Sequence, residues 1–264
     1  MREGSFPGSG EIYLVVRTRS ILACLMHWVL FLSVVTLTIT GFYIADPSYY
    51  FGRGEAYQAF AMANMRLYHF IAATFMIACL LGRMYLAFTE SCNHDIKQFL
   101  PTPKNVWNAL KLGKFFLTLR GESAHYRFIN PLGGIGVFMM AFLMLVQVIT
   151  GFLLFIPGAD PEVWWWASGS AMEGLFGGQQ NIRLIHHLSM YGLIFVVIIH
   201  VYMQIWKNSV FTESDISSII AGYKIFPISQ IGHFADYYGL HLADRPPSRE
   251  ELEKKSTAMI EAKE

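Results

Sequence analysis

Charge is scarce in this sequence. Only 15% of its 264 residues are Asp, Glu, Lys or Arg, where a soluble domain usually carries about 25%. Neither sign is in excess. The net charge of +1 argues against a nucleic-acid partner. Cysteine is rarer still: Cys24, Cys79 and Cys92 are scattered. They form no C-x-x-C zinc or redox pair and no C-x-x-C-H site for covalent haem attachment. A P-loop, a nucleophilic triad and a metalloprotease motif are all missing, which speaks against a hydrolase. The first residues lack the small-residue cleavage site of a signal peptide, and the first apolar stretch is too long for an h-region, so it is read as a retained span.

What is abundant is apolar surface: 54% of the residues are hydrophobic and 15% aromatic. These gather into four long runs. After a polar, Gly-rich lead over residues 1–20, span one covers Ile21 to Ala45 and is charge-free apart from His27, with Asp46-Pro47 ending it. Span two runs from Leu67 to about Thr89, with His69 near its start and Arg83 near its far end, placed to snorkel to the interface. Residues 90–131 form a long connection. Within it Lys104 to Arg120 alternates Lys with Trp, Leu and Phe, as in a short interfacial helix or an ordinary amphipathic connector. Span three covers Leu132 to Ala159. Trp164, Trp165 and Trp166 then suit an interfacial aromatic belt. Span four covers Leu184 to Trp206, and residues 207–264 make a polar tail whose last twenty residues look disordered.

Each run is long enough to cross a bilayer as a helix. The expected fold is an all-α integral membrane protein, a four-transmembrane-helix bundle with both termini on one side. That side holds 17 of the 20 Lys and Arg residues, the other only Arg53, Arg66 and Arg183. The positive-inside rule then places both termini in the cytoplasm.

Histidines inside such spans are costly and usually functional. His186 and His200 on span four are 14 residues apart. That spacing returns to within roughly 40° of one helix face and separates the two imidazoles by about 21 Å. His187 faces roughly 140° away from His200 and does not join them. One helix thus offers two ligands to one side, near opposite membrane faces, as two stacked haems require. The second ligands follow from depth. His27 and His200 each lie six residues from the terminus-bearing ends of their spans, and His69 and His186 each lie two residues from the opposite ends. The expected pairs are His27 with His200 and His69 with His186, holding two haems b by ligation alone. Span three offers no histidine and serves as a packing wall.

Two short echoes accompany the ligands. Arg66-Leu67-Tyr68-His69 and Arg183-Leu184-Ile185-His186 share the pattern Arg-Leu-x-His. An arginine three residues before each ligand lies one turn away on the same face, where its planar fork suits a haem propionate. Thr40-Gly41-Phe42 and Thr150-Gly151-Phe152 lie near the outer ends of spans one and three. There glycine lets helices or a porphyrin approach closely.

These motifs are carried in an order that resembles the b-type cytochrome subunit of membrane-bound nickel-iron hydrogenases, of the cytochrome b561-like superfamily. They are His27-Trp28, Thr40-Gly41-Phe42, Arg66 to His69, Arg83-Met84-Tyr85, Asn130-Pro131, Ile149 to Phe152, His200-Val201-Tyr202-Met203 and Ala221-Gly222-Tyr223-Lys224. The resemblance covers residues 15 to 225. It implies four membrane helices, two haems b and a quinone-reducing site in the bacterial cytoplasmic membrane. It also implies partnership with the small iron-sulfur subunit and the large nickel-iron subunit of a hydrogenase. Members often carry an arginine three residues before the first-span histidine. Cys24 stands there in this chain, so Arg17 or Arg19 is the expected inner propionate contact.

A quinone should sit by the inner haem, where His125 and Asn130 precede span three, flanked by Tyr126 and Arg127. A His and an Asn suit a quinone carbonyl, and the His also suits proton relay. Asn130-Pro131 equally fits a plain helix cap. Other readings stay open from the residues. They are the cytochrome b subunit of a formate dehydrogenase or thiosulfate reductase, a stand-alone cytochrome of the b561 kind, or a haem-free membrane anchor or transporter. His94, His187, His233 and His241 receive no role.

Overall fold

The computed structural model describes residues 13–47, 60–89, 100–118, 130–155, 176–210 and 215–227. Strand β1 (Tyr13–Arg17) leads into helix α1 (Ile21–Ala45). Helices α2 (Ala61–Thr89), α3 (Pro103–Thr118), α4 (Pro131–Phe155), α5 (Gln179–Val210) and α6 (Asp215–Ile220) follow, and strand β2 (Tyr223–Pro227) comes last. His94, His125, His233, His241, Trp164, Trp165, Trp166 and the last twenty residues lie outside the described residues.

The helix starts are written into the sequence. Ser20 Oγ accepts the Ala23 N–H at 3.2 Å, Thr102 Oγ1 the Asn105 N–H at 3.3 Å and Asn130 Oδ1 the Gly133 N–H at 2.6 Å. Each cap satisfies an amide that the first turn leaves without a partner. Pro103 and Pro131 follow two of these caps at the position where a missing N–H costs nothing.

Helices α1, α2, α4 and α5 are each long and apolar enough to cross a membrane. Helix α2 has 29 residues and α5 has 32. At 1.5 Å per residue they reach about 43 and 48 Å, beyond a hydrocarbon core of about 30 Å. This is why α2 begins at Ala61 rather than Leu67, and α5 at Gln179 rather than Leu184. A span read from lack of charge stops at Arg66 or Arg183, whereas the helix continues past both.

Helix α1 packs along α2, and α4 along α5, giving two antiparallel hairpins that touch each other sparingly. Within the first hairpin the fit is close. A Cβ at Gly82 would stand 2.5 Å from Met26 Cε, so glycine here sets the α1–α2 approach. At mid-height Met76, Met144 and Leu193 form a buried cluster, joined by Leu30, Val34, Leu80, Leu143 and Val197. Outward-facing residues are large and apolar, such as Leu32 (62% exposed), Phe75 (55%) and Phe195 (64%), as a lipid-facing surface requires. Helix α3 leans on α4, and its Phe116 ring meets Trp206 of α5 edge-on at 5.4 Å.

The lead and tail, expected as polar extensions, fold together. β1 and β2 pair antiparallel from Tyr13↔Pro227 to Arg17↔Tyr223. The Thr18 and Arg19 amides both donate to the Gly222 carbonyl, at 2.9 and 3.1 Å. Helix α6 closes over the start of α1, where Cys24 Sγ meets the Ser218 carbonyl at 3.5 Å and Trp28 Nε1 donates to the Ile219 carbonyl at 3.2 Å. An all-helical reading thus needs one addition, a two-stranded strap across the end of the bundle where α1 begins. Its strands are about 200 residues apart in the chain, and sheet pairing at that separation leaves no local pattern.

Candidate haem sites between the hairpins

The four spans place two pairs of imidazoles at two levels. Away from the strap, His69 near the start of α2 lies within electrostatic reach of His186 near the start of α5. At the strap end, His27 of α1 lies within such reach of His200 of α5. Leu193, half-way between His186 and His200, belongs to the apolar cluster that separates the levels. Among the described residues, no three or more His, Cys, Asp or Glu side chains gather into a metal-binding cluster. The histidines come two by two, which suits axial ligation of an iron whose other four positions belong to a macrocycle.

The far pair is built by the same device on both hairpins. His69 Nδ1 is 2.8 Å from Thr40 Oγ1 on the preceding helix, and His186 Nδ1 is 2.8 Å from Thr150 Oγ1. Each threonine hydroxyl also reaches back to a helix carbonyl, Thr40 to Thr36 and Thr150 to Val146, both at 2.7 Å. The neighbouring glycines make room. A Cβ at Gly41 would lie 3.6 Å from His69 Cε1, and one at Gly151 3.5 Å from His186 Cε1. The second hairpin adds a lock: Gln147 Nε2 donates to the His186 carbonyl at 2.6 Å and to Ser189 Oγ at 2.8 Å. Arg66 and Arg183 are exposed, one turn before these histidines, and Arg183 Nη1 donates to Gln180 Oε1 at 3.2 Å.

The strap-end pair has different surroundings. His27 Nδ1 is buried with no hydrogen-bond partner among the described residues. The His27 ring stands edge-on to Trp28 at 5.7 Å. Arg19 and Arg83 both lie within electrostatic reach of His27, and Arg19 also of His200. Arg83 does not simply snorkel outward, since its Nη1 atom is buried. Cys24 is buried beneath α6. Two cations thus flank this level, Arg19 and Arg83. Arg17 lies in β1, opposite Tyr223.

The donor chemistry fits haem b at both levels. Imidazole nitrogens are presented in pairs, arginines stand near each pair, and the hairpins that carry the ligands pack little against one another. Of the residues expected at a quinone site, Asn130 is buried and its Oδ1 caps α4; His125 lies outside the described residues. What motif reading missed is the threonine of each Thr-Gly-Phe echo. The echo itself is legible in the sequence, which supplies a reason only for its glycine.

The chain is similar to several known proteins. The family model described as prokaryotic cytochrome b561 matches residues 18–222. A protein of Cupriavidus necator named "Probable Ni/Fe-hydrogenase B-type cytochrome subunit" is 31% identical over 207 residues, covering 76% of this chain and 84% of its own. One of the same name from Azotobacter vinelandii is 31% identical over 210 residues, 76% of this chain and 85% of its own. The "Probable Ni/Fe-hydrogenase 1 B-type cytochrome subunit" of Escherichia coli K12 is 26% identical over 222 residues, 78% and 89%.

Proposed function

Because this chain belongs to the prokaryotic cytochrome b561 family, we propose that it is the membrane-anchoring cytochrome b subunit of a respiratory nickel-iron hydrogenase. In this role it takes electrons from the small iron-sulfur subunit and delivers them to membrane quinone. The large nickel-iron subunit completes the complex. The relatives' names support the hydrogenase partner. The observation that carries the dihaem reading is the pair of histidine levels along α5, about 21 Å apart by helix rise, each with its partner on the other hairpin.

Two haems b, when bound, supply one-electron carriage between the two membrane faces. The protein's own work is to hold, orient and shield. His69 and His186 present imidazoles on the periplasmic side, and His27 and His200 on the cytoplasmic side, with both termini in the cytoplasm by the Lys and Arg distribution. Arg66 and Arg183 are placed to pair with propionates at the outer level, Arg19 and Arg83 at the inner. The cluster of Met76, Met144 and Leu193 keeps water from the space between the levels. His125 and Asn130 remain the proposed contacts for quinone on the cytoplasmic side.

The test is co-purification followed by hydrogen addition. A nickel-bearing large subunit should accompany the chain in mild detergent, and hydrogen should reduce its b-type absorbance and then added quinone. A cytochrome that purifies alone and ignores hydrogen would remove the hydrogenase assignment. Reconstituted in vesicles, quinone reduction should build a membrane potential.

A further inference from the structure

The two histidine levels differ in what meets the imidazole nitrogen. At the outer level each threonine hydroxyl has a single proton. The 2.7 Å contacts from Thr40 to the Thr36 carbonyl and from Thr150 to the Val146 carbonyl consume it, since a carbonyl can only accept. The oxygen's remaining lone pairs therefore face His69 Nδ1 and His186 Nδ1 at 2.8 Å, so each imidazole must donate there. This leaves Nε2 of both rings unprotonated and ready to bind iron, with no proton to remove. The same contacts hold the rings against Gly41 and Gly151. At the inner level, His27 Nδ1 is buried and meets no hydrogen-bond partner among the described residues.

We infer that Thr40 and Thr150 are positioning residues that fix the tautomer of the outer ligands and lower the outer haem's reduction potential below that of the inner one. The inference rests on the dihaem reading above. An imidazole that donates its second N–H is a more basic ligand. A more basic ligand favours the ferric over the ferrous state and so lowers the potential, second-shell hydrogen bonding being one of the protein's levers on haem. With both outer ligands so bonded and His27 not, the outer centre is the weaker oxidant. Electron movement from the periplasmic to the cytoplasmic level is then downhill, built in by two hydroxyl groups one helix away from the ligands.

The test is an optical redox titration of the purified, hydrogenase-bound chain as wild type, Thr40→Val, Thr150→Val and Thr40→Ser. The wild type should titrate as two b-type components. In each Val variant the lower component should move up while the upper stays in place, and the double Val variant should move it further. Thr40→Ser keeps the hydroxyl and should titrate like wild type. Loss of haem from a Val variant with full occupancy in the Ser variant also supports a hydroxyl that positions the ligand. Two components that keep their potentials in all Val variants, or a shift of the upper one, overturns the inference while leaving the dihaem assignment intact. A wild type without haem b fails the assignment itself.

Discussion

Arg19 donates its backbone N–H to the Gly222 carbonyl at 3.1 Å, and its own carbonyl oxygen would stand 2.6 Å from any Cβ at position 222. Gly222 also has φ +82°, a conformation that a side chain resists. This contact lies at the end of the β1–β2 ladder, where lead and tail meet, and it anchors the backbone of Arg19, which lies within electrostatic reach of His27 and His200.

Gly222→Ala should therefore open the strap. Strain of this kind costs about 1–3 kcal/mol, and the clash with a backbone oxygen adds to it. Hydrogen exchange at residues 13–19 and 222–227 should speed up while the four long helices keep their protection. Unchanged exchange at Thr18 and Arg19 would show that the strap closes without this glycine.

The glycines beside the outer histidines offer a graded test. Gly151→Ala places a methyl at 3.5 Å from His186 Cε1, ordinary van der Waals contact, so haem content should hold. Gly151→Leu puts further carbons where the imidazole stands and should deplete the outer haem, leaving the inner one. Full haem content in Gly151→Leu would mean that the ring has room to spare.

Asn130 separates two roles by chemistry. Its Oδ1 caps α4, and an aspartate accepts the same N–H. Asn130→Asp should keep the fold, whereas Asn130→Ala should cost about 1 kcal/mol of cap energy. If the amide also donates to a quinone carbonyl, Asn130→Asp should slow hydrogen-driven quinone reduction while dye reduction continues. An Asp variant with normal quinone kinetics would reduce Asn130 to a cap.

Gln147 holds the His186 carbonyl and Ser189 together. Gln147→Leu keeps the bulk and removes both bonds, each worth about 1 kcal/mol net. It should lower thermal stability measured by loss of the outer haem's Soret band, with little change at the inner haem. Equal loss at both levels would contradict a lock confined to His186.

The long helices were legible because a bilayer demands length and absence of charge, and Ile21–Ala45 shows both without interruption. Counting residues along the spans also brought His69 to the level of His186 and His27 to that of His200, because helix rise is constant. The ends of α2 and α5 were not legible, since Arg66 and Arg183 continue the helix outside the apolar core. The strap is not legible in the sequence because Tyr13–Arg17 and Tyr223–Pro227 gain their pattern only from each other. The role of Thr40 and Thr150 is not legible in the sequence. A threonine in an apolar helix usually bonds its own i−4 carbonyl, and only the packing of neighbouring helices shows that the same oxygen also faces an imidazole.

The most direct measurement is the haem-to-protein ratio by pyridine haemochrome, for wild type and His200→Ala. Two haems b per chain are expected in the wild type. The variant should lose the inner haem, or both should the bundle loosen around the gap. A well-folded wild-type chain containing no haem would contradict the pairing of His27 with His200 and His69 with His186, and with it the electron-transfer function.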